Sequence, residues 1–210
     1  DQPVWQQNLY MRLEKWANRL CDYVVFVNNT DRIKCLDLGL VSPSKALTIN
    51  NAIPYEKVEQ LEKIAQERKL VSDKKDFVIG SIIRFSPAKN VINLISAACQ
   101  VCKKEAKLKF IILGKGEYLR LCRQIVHSYN LDERIVLPGF DINIEKWLAL
   151  FDAFILYSRW ESRPFSCIEA MYSGLPVIVS DIPSLREMIT DECGWIVPLD
   201  NQPALIQCLI

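Results

Sequence analysis

Short apolar runs alternate with segments of helical periodicity over most of this chain, from Asp76 to its end. Such runs are typical of strands that a parallel sheet buries on both faces. In chain order they read FVIGSII, KFIILG, RIVLPG, AFILY, PVIVS and GWIVP. The segments between them carry apolar residues three and four positions apart, as in NVINLISAACQVCKK. The alternation predicts an α/β fold: a Rossmann-like, doubly wound parallel sheet of six strands with right-handed crossovers.

The first 50 residues follow a different pattern, in which the strands DYVVFVN and KALTIN are separated by the helix TDRIKCLDLG. An amphipathic helix precedes them, with an apolar stripe formed by Trp5, Leu9, Leu13, Trp16 and Leu20. Two strands and two helices cannot close a sheet alone. We therefore expect residues 1–50 to be the trailing edge of a preceding domain with its crossover, and residues 51–210 to be a Rossmann-like domain. The chain starts without Met and without a signal-peptide profile, so we expect it to be part of a longer protein.

The composition of the chain argues against a nucleic acid, a membrane span and a metal ion as part of its function. Half of the 210 residues are hydrophobic and 24% are charged, with a net charge of +1, so we expect no basic face for a nucleic acid. No apolar run reaches the ~18 residues of a membrane-spanning helix. The eight cysteines lie mostly in apolar segments, and Cys99-x-x-Cys102 has no second pair at zinc spacing. These features predict reduced, buried thiols in a cytoplasmic protein and no metal site.

The segment Phe151–Asp181 carries two glutamates, Glu161 in a loop and Glu169 eight positions later in a helix. The pattern predicts that this helix starts near Pro164 and stops at Gly174. A helix that begins at the carboxyl end of a parallel strand presents N–H groups and partial positive charge to the crevice. The two carboxylates would then suit a ligand with phosphate at one end and sugar hydroxyls on either side. The spacing alone is equally typical of two solvated surface glutamates, and the position between two buried strands favours a site.

Two basic residues, Arg84 and Lys89, lie in the loop after the first strand of the complete domain. In open α/β sheets, ligands bind at the carboxyl ends of the strands. Arginine offers a bidentate fork and lysine a point charge, a combination suited to a diphosphate, although two basic loop residues are more often ordinary surface. Facing the start of the helix at Pro164–Ser166, they would complete a phosphate clamp.

Two further loops end strands at the same edge of the predicted sheet. The glycine turn Leu113–Glu117 either brings the backbone at Gly114 close to a ligand or simply makes a tight strand-to-helix turn. The apolar loop Leu137–Phe140, which contains Pro138 and Gly139, either holds the edge of a nucleobase by backbone contacts or packs hydrophobically.

Two other features are assigned no catalytic role. His127 is the only histidine and lies in the middle of a predicted helix, so we expect a surface or half-buried residue. The charged segment 56–75 predicts a solvated outer helix with no function of its own.

Five blocks of this sequence occur in the order seen in retaining GT-B glycosyltransferases. The blocks are IGSIIRFSPAKNVINLISAA, FIILGKGE, RIVLPGF, FDAFILYSRWESRPFSCIEAMYSGLPVIVSD and LREMITDECGWIVP. The chain resembles the large bacterial group with the E-x7-E signature (family 4-like, glycosyl transferases group 1). LTINNAIP is similar to that family's interdomain crossover, with Ala52 in place of a glycine. The resemblance implies that residues 51–210 are the nucleotide-sugar-binding C-terminal domain of a GT-B fold and that residues 1–50 end the N-terminal, acceptor-binding domain.

The resemblance also implies roles for individual residues. Arg84 and Lys89 match the pair that neutralises the departing diphosphate. Glu161 matches the glutamate that holds the donor sugar near its reacting face, and Glu169 the one that hydrogen-bonds the ribose hydroxyls. The other residues implied in donor binding are Arg163, Pro164, Phe165, Ser166, Gly114, Pro138 and Gly139. Such enzymes need no metal and no other cofactor, because Arg, Lys and the helix dipole replace the cation.

The sequence departs from the family pattern at two places. Ser162 and Arg163 follow the first glutamate, where glycine and an apolar residue are usual, so we expect a narrower or more charged sugar pocket. Pro183 and Ser184 replace a Gly-Gly pair before Glu187, which we expect to cap or pair structurally and not to act in catalysis.

The resemblance implies a retaining hexosyltransferase that moves a sugar from a UDP-, GDP- or ADP-sugar to a glycan or lipid-linked acceptor. We expect this chain alone to have little activity, because most of the acceptor domain is missing. The alternatives are a sugar-nucleotide epimerase or a phosphorylase of the same architecture, and a non-catalytic nucleotide-binding scaffold. A phosphorylase would need a pyridoxal-binding lysine, for which no local context is present. Lipid-linked oligosaccharide, lipopolysaccharide core and capsular polymer stay open as acceptors, as does peripheral attachment to the inner membrane leaflet.

Overall fold

The structure, a computed structural model, describes residues 3–69 and 76–210. It divides after Asn51 into two compact units, whereas the sequence places the boundary after residue 50. Each unit has a sheet of its own among the described residues. The origin of the first unit as the edge of a preceding domain stays a prediction.

The first unit contains, within residues 3–51, two helices and two strands. These are α1 (Val4–Leu20), β1 (Val24–Phe26), α2 (Asn29–Asp37) and β2 (Ala46–Thr48). The strands pair in parallel, with Val24 opposite Ala46. Helix α2 is capped by Asn28, whose side-chain oxygen accepts a hydrogen bond of 2.6 Å from the Asp31 N–H. The predicted amphipathic helix forms as α1, although none of the residues described in it is buried.

Within residues 76–210, six parallel strands form one sheet, which confirms the predicted doubly wound α/β fold. The strands are β3 (Phe77–Ile82), β4 (Leu108–Leu113), β5 (Ile135–Gly139), β6 (Ala153–Leu156), β7 (Val177–Ser180) and β8 (Gly194–Val197). Their order in the sheet is β5-β4-β3-β6-β7-β8, so the chain runs outward from β3 to one edge and then from β6 to the other. This change of direction between β3 and β6 opens a crevice at their carboxyl ends, where ligands bind in this architecture.

Helices form two layers around this sheet. They are α3 (Tyr55–Lys69), α4 (Val91–Lys104), α5 (Leu119–Ser128), α6 (Glu145–Leu148), α7 (Phe165–Tyr172), α8 (Pro183–Arg186) and α9 (Gln202–Leu209). Helix α4 contacts α5 and α9, whereas α3 contacts α6 and α7. Every residue of β6 and β7 is buried, as continuous apolar runs require. Helix α8 is shorter than the predicted IPSLREMIT helix, because Met188 N bonds to Leu185 O only three residues back and tightens the turn.

Helix α3 is not simply the solvated outer helix that its charged composition predicts. Leu61 is fully buried, and Arg68 donates to the carbonyl oxygens of Leu148 and Ser173, both at 2.5 Å. These carbonyls lie at the ends of α6 and α7, where a helix leaves C=O groups without intrahelical partners. The helix therefore packs through one apolar side and one half-buried guanidinium. The part of the predicted segment at residues 70–75 lies outside the described residues.

The predicted surface position of His127 is confirmed, whereas the cysteines are less uniformly buried than predicted. All eight cysteines are free thiols, and four of them are buried. Burial raises the pKa of Cys99 and of Cys102 to about 11, so both stay protonated and unreactive at neutral pH. His127 is exposed on α5, with its Nδ1 3.2 Å from Asp132 Oδ2. In the part of the chain that the structure describes, no helix combines the length and the hydropathy that a bilayer-spanning segment needs.

Candidate functional site

A cavity of about 810 Å³ opens at the carboxyl ends of β3 and β4. Its wall is formed by the loops after β3, β4, β5 and β6 and by the start of α7. The wall residues are Ile82, Ile83, Arg84, Lys89, Leu113, Gly114, Lys115, Gly116, Phe140, Asp141, Ile144, Glu161, Pro164, Phe165 and Ser166. Seven residues predicted for the site are among them: Arg84, Lys89, Gly114, Glu161, Pro164, Phe165 and Ser166.

Arg84 is placed by backbone pairing that continues past the end of β3. Ile83 N donates to Leu113 O, and Phe85 N donates to Lys115 O, each at 2.9 Å. Ile83 and Phe85 are buried, and alternate residues of an extended backbone point to opposite sides. The apolar–basic–apolar order of residues 83–85 therefore turns Arg84 away from the core, where it is exposed beside the cavity.

The glycine turn after β4 fits closely against this segment. Gly114 and Gly116 have φ angles of 138° and 153°, which glycine adopts without strain. A Cβ atom at position 114 would lie 1.7 Å from Ile83 O, and one at position 116 would lie 2.3 Å from Phe85 O. Both glycines are therefore required by the packing of one loop on the next. Gly114 also lines the cavity, and close approach of a ligand to it stays a prediction.

Lys89 and Glu161 form an ion pair on the cavity wall. Lys89 Nζ contacts Glu161 Oε1, and the two side chains are 22% and 7% exposed. Ser158 Oγ donates to the same carboxylate oxygen at 2.7 Å, and Ser184 Oγ donates to the Glu161 carbonyl oxygen at 2.6 Å. Ser184 is one of the two residues that replace the expected Gly-Gly pair. Its hydroxyl thus anchors the backbone of the glutamate that the resemblance places next to the sugar.

A bidentate ion pair connects three loops at this edge of the sheet. Arg159 donates to the two carboxylate oxygens of Asp200 at 2.7 and 2.8 Å. The Arg159 N–H donates to Ala88 O at 2.8 Å, and the side-chain amide of Asn93 lies 3.4 Å from Asp200 Oδ1. We call the pair of Arg159 and Asp200, with these neighbouring contacts, the clasp. It joins the Lys89 loop after β3, the Glu161 loop after β6 and the loop after β8. Sequence reasoning missed it because Arg159 and Asp200 are 41 positions apart and belong to no shared motif.

The start of α7 faces the cavity. Pro164 caps the helix with extended backbone, and Phe165 and Ser166 line the cavity beside it. The first N–H groups of a helix have no intrahelical acceptors, so this end presents hydrogen-bond donors and partial positive charge. Arg163, which was also predicted for donor binding, is half-buried and lies outside the wall that the described residues form.

For the loop after β5 the sequence predicts either backbone contacts with a nucleobase or hydrophobic packing, and the structure brings other residues of this loop to the cavity. Phe140 and Asp141 line the cavity, whereas Pro138 and Gly139 belong to β5 itself and lie outside the wall of described residues. Gly139 O accepts a hydrogen bond of 2.8 Å from Gly114 N, so it is engaged between neighbouring strand ends. Phe140 is 64% exposed and offers an aromatic face at the rim of the cavity.

Asp141 brings a carboxylate to the cavity that sequence reasoning did not identify. It accepts hydrogen bonds from Lys146 Nζ at 2.5 Å, from Trp147 Nε1 at 3.0 Å and from Asn143 N at 2.9 Å. The Lys146 contact first, and then those of Trp147 and Asn143, lower the pKa of Asp141 to about 2. The carboxylate is therefore ionised at neutral pH and held by its own loop and by α6.

Glu169, the second predicted glutamate, lies on the second turn of α7, outside the cavity wall of described residues. It is 8% exposed, and its Oε1 is 2.5 Å from Lys57 Nζ of α3. Lys57 Nζ is also 3.6 Å from Glu145 Oε1. Burial lowers the pKa of Lys57, but the two glutamates outweigh burial and raise it. Sequence reasoning missed Lys57 because it lies 112 positions before Glu169. Its segment is also highly charged, which is typical of a solvent-exposed helix.

The cavity can hold a phosphorylated ligand that carries hydroxyl groups. Arg84, Lys89 and the N–H groups at the start of α7 surround one space, and these are the groups that bind phosphate in proteins. Glu161 adds a carboxylate, which can only accept hydrogen bonds when ionised and therefore suits hydroxyl donors.

Comparison with known proteins gives a consistent family. The model of the family described as Glycosyl transferases group 1 matches residues 62–209. The chain is 28% identical over 211 residues to the UDP-Gal:alpha-D-GlcNAc-diphosphoundecaprenol alpha-1,3-galactosyltransferase of Escherichia coli, with 96% of this chain and 54% of that protein covered. It is 32% identical over 173 residues to the N-acetylgalactosamine-N,N'-diacetylbacillosaminyl-diphospho-undecaprenol 4-alpha-N-acetylgalactosaminyltransferase of Campylobacter jejuni, with 80% and 44% covered. The chain thus spans about half the length of these curated relatives.

Solved structures share the fold. The crystal structure of Anabaena HepE in complex with UDP-glucose has a TM-score of 0.77 at 21% identity, and the match covers 95% of this chain and 56% of that one. Staphylococcus aureus TarM, in complex with Fondaparinux, alpha-GlcNAc-glycerol and UDP, has a TM-score of 0.72 at 23% identity, covering 91% and 38%. At such identities the likeness establishes the fold alone.

Proposed function

Because this chain belongs to the glycosyl transferases group 1 family, we propose that its second unit binds the nucleotide-diphosphate sugar of a retaining glycosyltransferase. The five sequence blocks resemble the same family, and the family model matches residues 62–209. The observation that supports the proposal most directly is one cavity lined by Arg84, Lys89, Glu161 and the start of α7. The activity of the whole protein is part of the proposal, since the chain spans about half of its relatives.

In this proposal the diphosphate lies between the two cations and the start of α7. Arg84 donates through a bidentate fork, Lys89 supplies a point charge, and the helix supplies backbone N–H groups. Each charge-assisted hydrogen bond contributes ~1.5–3 kcal/mol. The exposed position of Arg84 leaves its guanidinium accessible to a ligand in the cavity.

The same groups stabilise the leaving group during transfer. The bond between the anomeric carbon and the diphosphate oxygen breaks, and its electron pair leaves with the diphosphate. The acceptor hydroxyl oxygen forms the new glycosidic bond, and its proton passes to the departing diphosphate oxygen. Negative charge develops on the diphosphate, where Arg84, Lys89 and the helix N–H groups stabilise it. In this mechanism these groups take the place of a divalent cation, so transfer needs no metal ion.

The two glutamates orient the ends of the donor. Glu161, which Lys89 and Ser158 hold in place, accepts hydrogen bonds from the sugar hydroxyls. Glu169 accepts hydrogen bonds from the ribose hydroxyls. Retention of configuration is proposed from the match of these two residues to the E-x7-E signature.

Two relatives guide the proposal for donor and acceptor. Their names describe transfer to sugars carried on diphosphoundecaprenol, in one case from UDP-Gal. We therefore favour a UDP-sugar donor and a polyprenyl-diphosphate-linked acceptor in bacterial polysaccharide assembly. A lipid-linked acceptor would bring the protein to the inner membrane leaflet as a peripheral protein.

The proposal is tested by a transfer assay with the intact protein. UDP-, GDP- and ADP-sugars are offered with an undecaprenyl-diphosphate-linked amino sugar, with and without EDTA. We expect transfer from one donor class, unaffected by EDTA, and a product whose anomeric coupling in the NMR spectrum shows the configuration of the donor.

The other outcomes separate the rival functions. An inverted product or complete loss of transfer in EDTA would overturn the proposed mechanism. A new sugar nucleotide formed from donor alone would identify an epimerase. Absence of calorimetric binding to UDP, GDP and ADP would favour a non-catalytic scaffold.

A further inference from the structure

Lys57 connects three helices through two ion pairs. It lies on the first turn of α3, and its ammonium reaches Glu169 of α7 at 2.5 Å and Glu145 of α6 at 3.6 Å. Its side chain is 28% exposed, and that of Glu169 is 10% exposed. A carboxylate this deeply buried requires a partner, because an ionised group without one is costly to bury. Lys57 is the partner that the described residues provide.

The charged cluster of Lys57, Glu145 and Glu169 favours a ligand with hydroxyl groups over one with phosphate at this position. One ammonium between two carboxylates leaves a net negative charge, so a phosphate would be repelled. A carboxylate has about four acceptor sites on its two oxygens, and the Lys57 contact engages Oε1. Glu169 therefore keeps capacity to accept hydrogen bonds from hydroxyl donors while Lys57 holds it.

Helix α3 gives Lys57 a fixed base. Leu61, one turn further along, is fully buried. Arg68 near the other end of α3 donates to the carbonyl oxygens of Leu148 and Ser173 at the ends of α6 and α7. The helix is thus tied to both partner helices along its length, and the ammonium of Lys57 is presented from a rigid element and not from a loop.

We propose that Lys57 is a positioning residue that holds the Glu169 carboxylate where it accepts hydrogen bonds from the ribose hydroxyls of the bound nucleotide. The inference rests on the proposed function, because it assumes that the cavity beside α7 takes a nucleotide. It adds a residue from α3, far from the glutamate signature in sequence, to the recognition of ribose. It also explains why this charged helix carries a half-buried lysine on its first turn.

The test compares ribose with deoxyribose. Calorimetry on the intact protein measures the dissociation constants of UDP, 2′-deoxy-UDP and 3′-deoxy-UDP. In the wild type, loss of the hydroxyl bonded to Glu169 should weaken binding about tenfold or more, since a hydrogen bond to a charged group is at stake. The ratio of the deoxy-UDP dissociation constant to the UDP dissociation constant, called the ribose ratio below, measures this loss. In Lys57→Met the ribose ratio should fall to about twofold, while the affinity for the deoxynucleotide stays within about twofold of the wild type.

Three further variants control for a purely structural effect. Lys57→Gln provides a polar replacement in case Lys57→Met does not fold, and it should also lose the ratio. Lys57→Arg should restore most of it, because the positive charge returns. Lys63→Met, on the same helix with a side chain 76% exposed, should leave the ratio unchanged. A general loss of packing would instead weaken ribose and deoxyribose ligands equally.

The outcomes distinguish this inference from the proposed function. If the wild type separates ribose from deoxyribose and the two neutral Lys57 variants keep the full ratio, the positioning role is wrong. If the wild type binds UDP and both deoxy ligands equally, the role is also wrong, and the nucleotide site still stands. If the wild type binds no nucleoside diphosphate, the proposed function fails together with the inference.

Discussion

Lys89–Glu161 and Lys57–Glu169 are pairs of the same residue types that lie in different surroundings. Lys89 and Glu161 line the cavity, and Arg84 belongs to the same wall. Lys57 and Glu169 lie outside the wall formed by the described residues, and a second carboxylate, Glu145, shares the same ammonium. On the cavity wall, the cations Arg84, Lys89 and Lys115 outnumber the carboxylates of Asp141 and Glu161, which leaves a net positive charge. One cation and two carboxylates leave net negative charge at the second pair.

These surroundings determine which member of each pair is available to a ligand. At the cavity, Ser158 also donates to Glu161, so the carboxylate keeps one hydrogen-bond donor when Lys89 turns toward a diphosphate. At the second pair the ammonium is held by two carboxylates, so it serves Glu169 and not an anion. We infer that the same pair of residue types recognises charge in one place and hydroxyl groups in the other.

The largest expected effect comes from removing the cavity lysine. Lys89→Met should lower turnover about a hundredfold, because it removes a donor aimed at charge that develops in the transition state. The ratio of ribose to deoxyribose affinity should stay within about twofold, since Glu169 keeps its partner. Steady-state kinetics with the intact protein and the calorimetric series described for Lys57 measure the two quantities.

Lys63→Met is the matched control for Lys89→Met, because Lys63 is exposed and pairs only with Glu67 of its own helix, at 3.9 Å, among the described contacts. Its turnover should equal that of the wild type. Unchanged turnover in Lys89→Met would contradict the diphosphate role. A hundredfold loss in Lys57→Met with no change in Lys89→Met would reverse the assignment of the two pairs.

The sequence predicts the first pair far better than the second. Arg84, Lys89 and Glu161 each follow a buried strand at its carboxyl end, and parallel strands bring those ends to one edge. The alternation of apolar runs and helices therefore determines both the sheet and the neighbourhood of these three residues. No comparable rule connects Lys57 with Glu169, because a contact between two helices depends on their packing angle and rotation.

Other side chains of the site also could not be predicted from the sequence. Ser184 stands where the family pattern has a glycine, and its hydroxyl anchors Glu161. Asp141 and Phe140 reach the cavity from a loop for which the sequence predicts either backbone contacts at Pro138 and Gly139 or hydrophobic packing. Loop direction after a strand depends on local turns and hydrogen bonds, such as those that Asp141 accepts, and hydrophobic periodicity contains no information on them.

A smaller effect is expected at the clasp that supports only the first pair. Asp200→Asn breaks the bidentate bond to Arg159, and the side chains of the two are 48% and 37% exposed. The free energy of unfolding should fall by about 0.5–1 kcal/mol, the range of a partly exposed pair. Turnover should fall about threefold, because the Lys89 and Glu161 loops lose a shared anchor. Chemical denaturation and steady-state kinetics measure these changes.

The ribose ratio decides whether the clasp acts on the first pair alone. It should be unchanged in Asp200→Asn, because Lys57 and Glu169 share none of the described contacts of Asp200. Asp132→Asn, at the exposed His127 pair, is the matched control and should leave stability and turnover as in the wild type. Equal effects of the two substitutions would show that the clasp contributes nothing beyond an ordinary surface pair.

The smallest effect is expected at the pair of Lys146 with Asp141, which is more exposed than Lys89–Glu161 and Lys57–Glu169. The pKa of Asp141 falls from 3.8 to about 2, first through Lys146. A carboxylate with a lowered folded-state pKa contributes stability above its unfolded pKa and loses it as pH falls. The melting temperature of the wild type should therefore exceed that of Asp141→Asn at pH 5–7, and the difference should shrink between about pH 4 and pH 2. Lys146→Met should remove most of this pH-dependent difference in melting temperature. If the difference between the wild type and Asp141→Asn stays constant down to pH 2, it does not arise from the charge of Asp141.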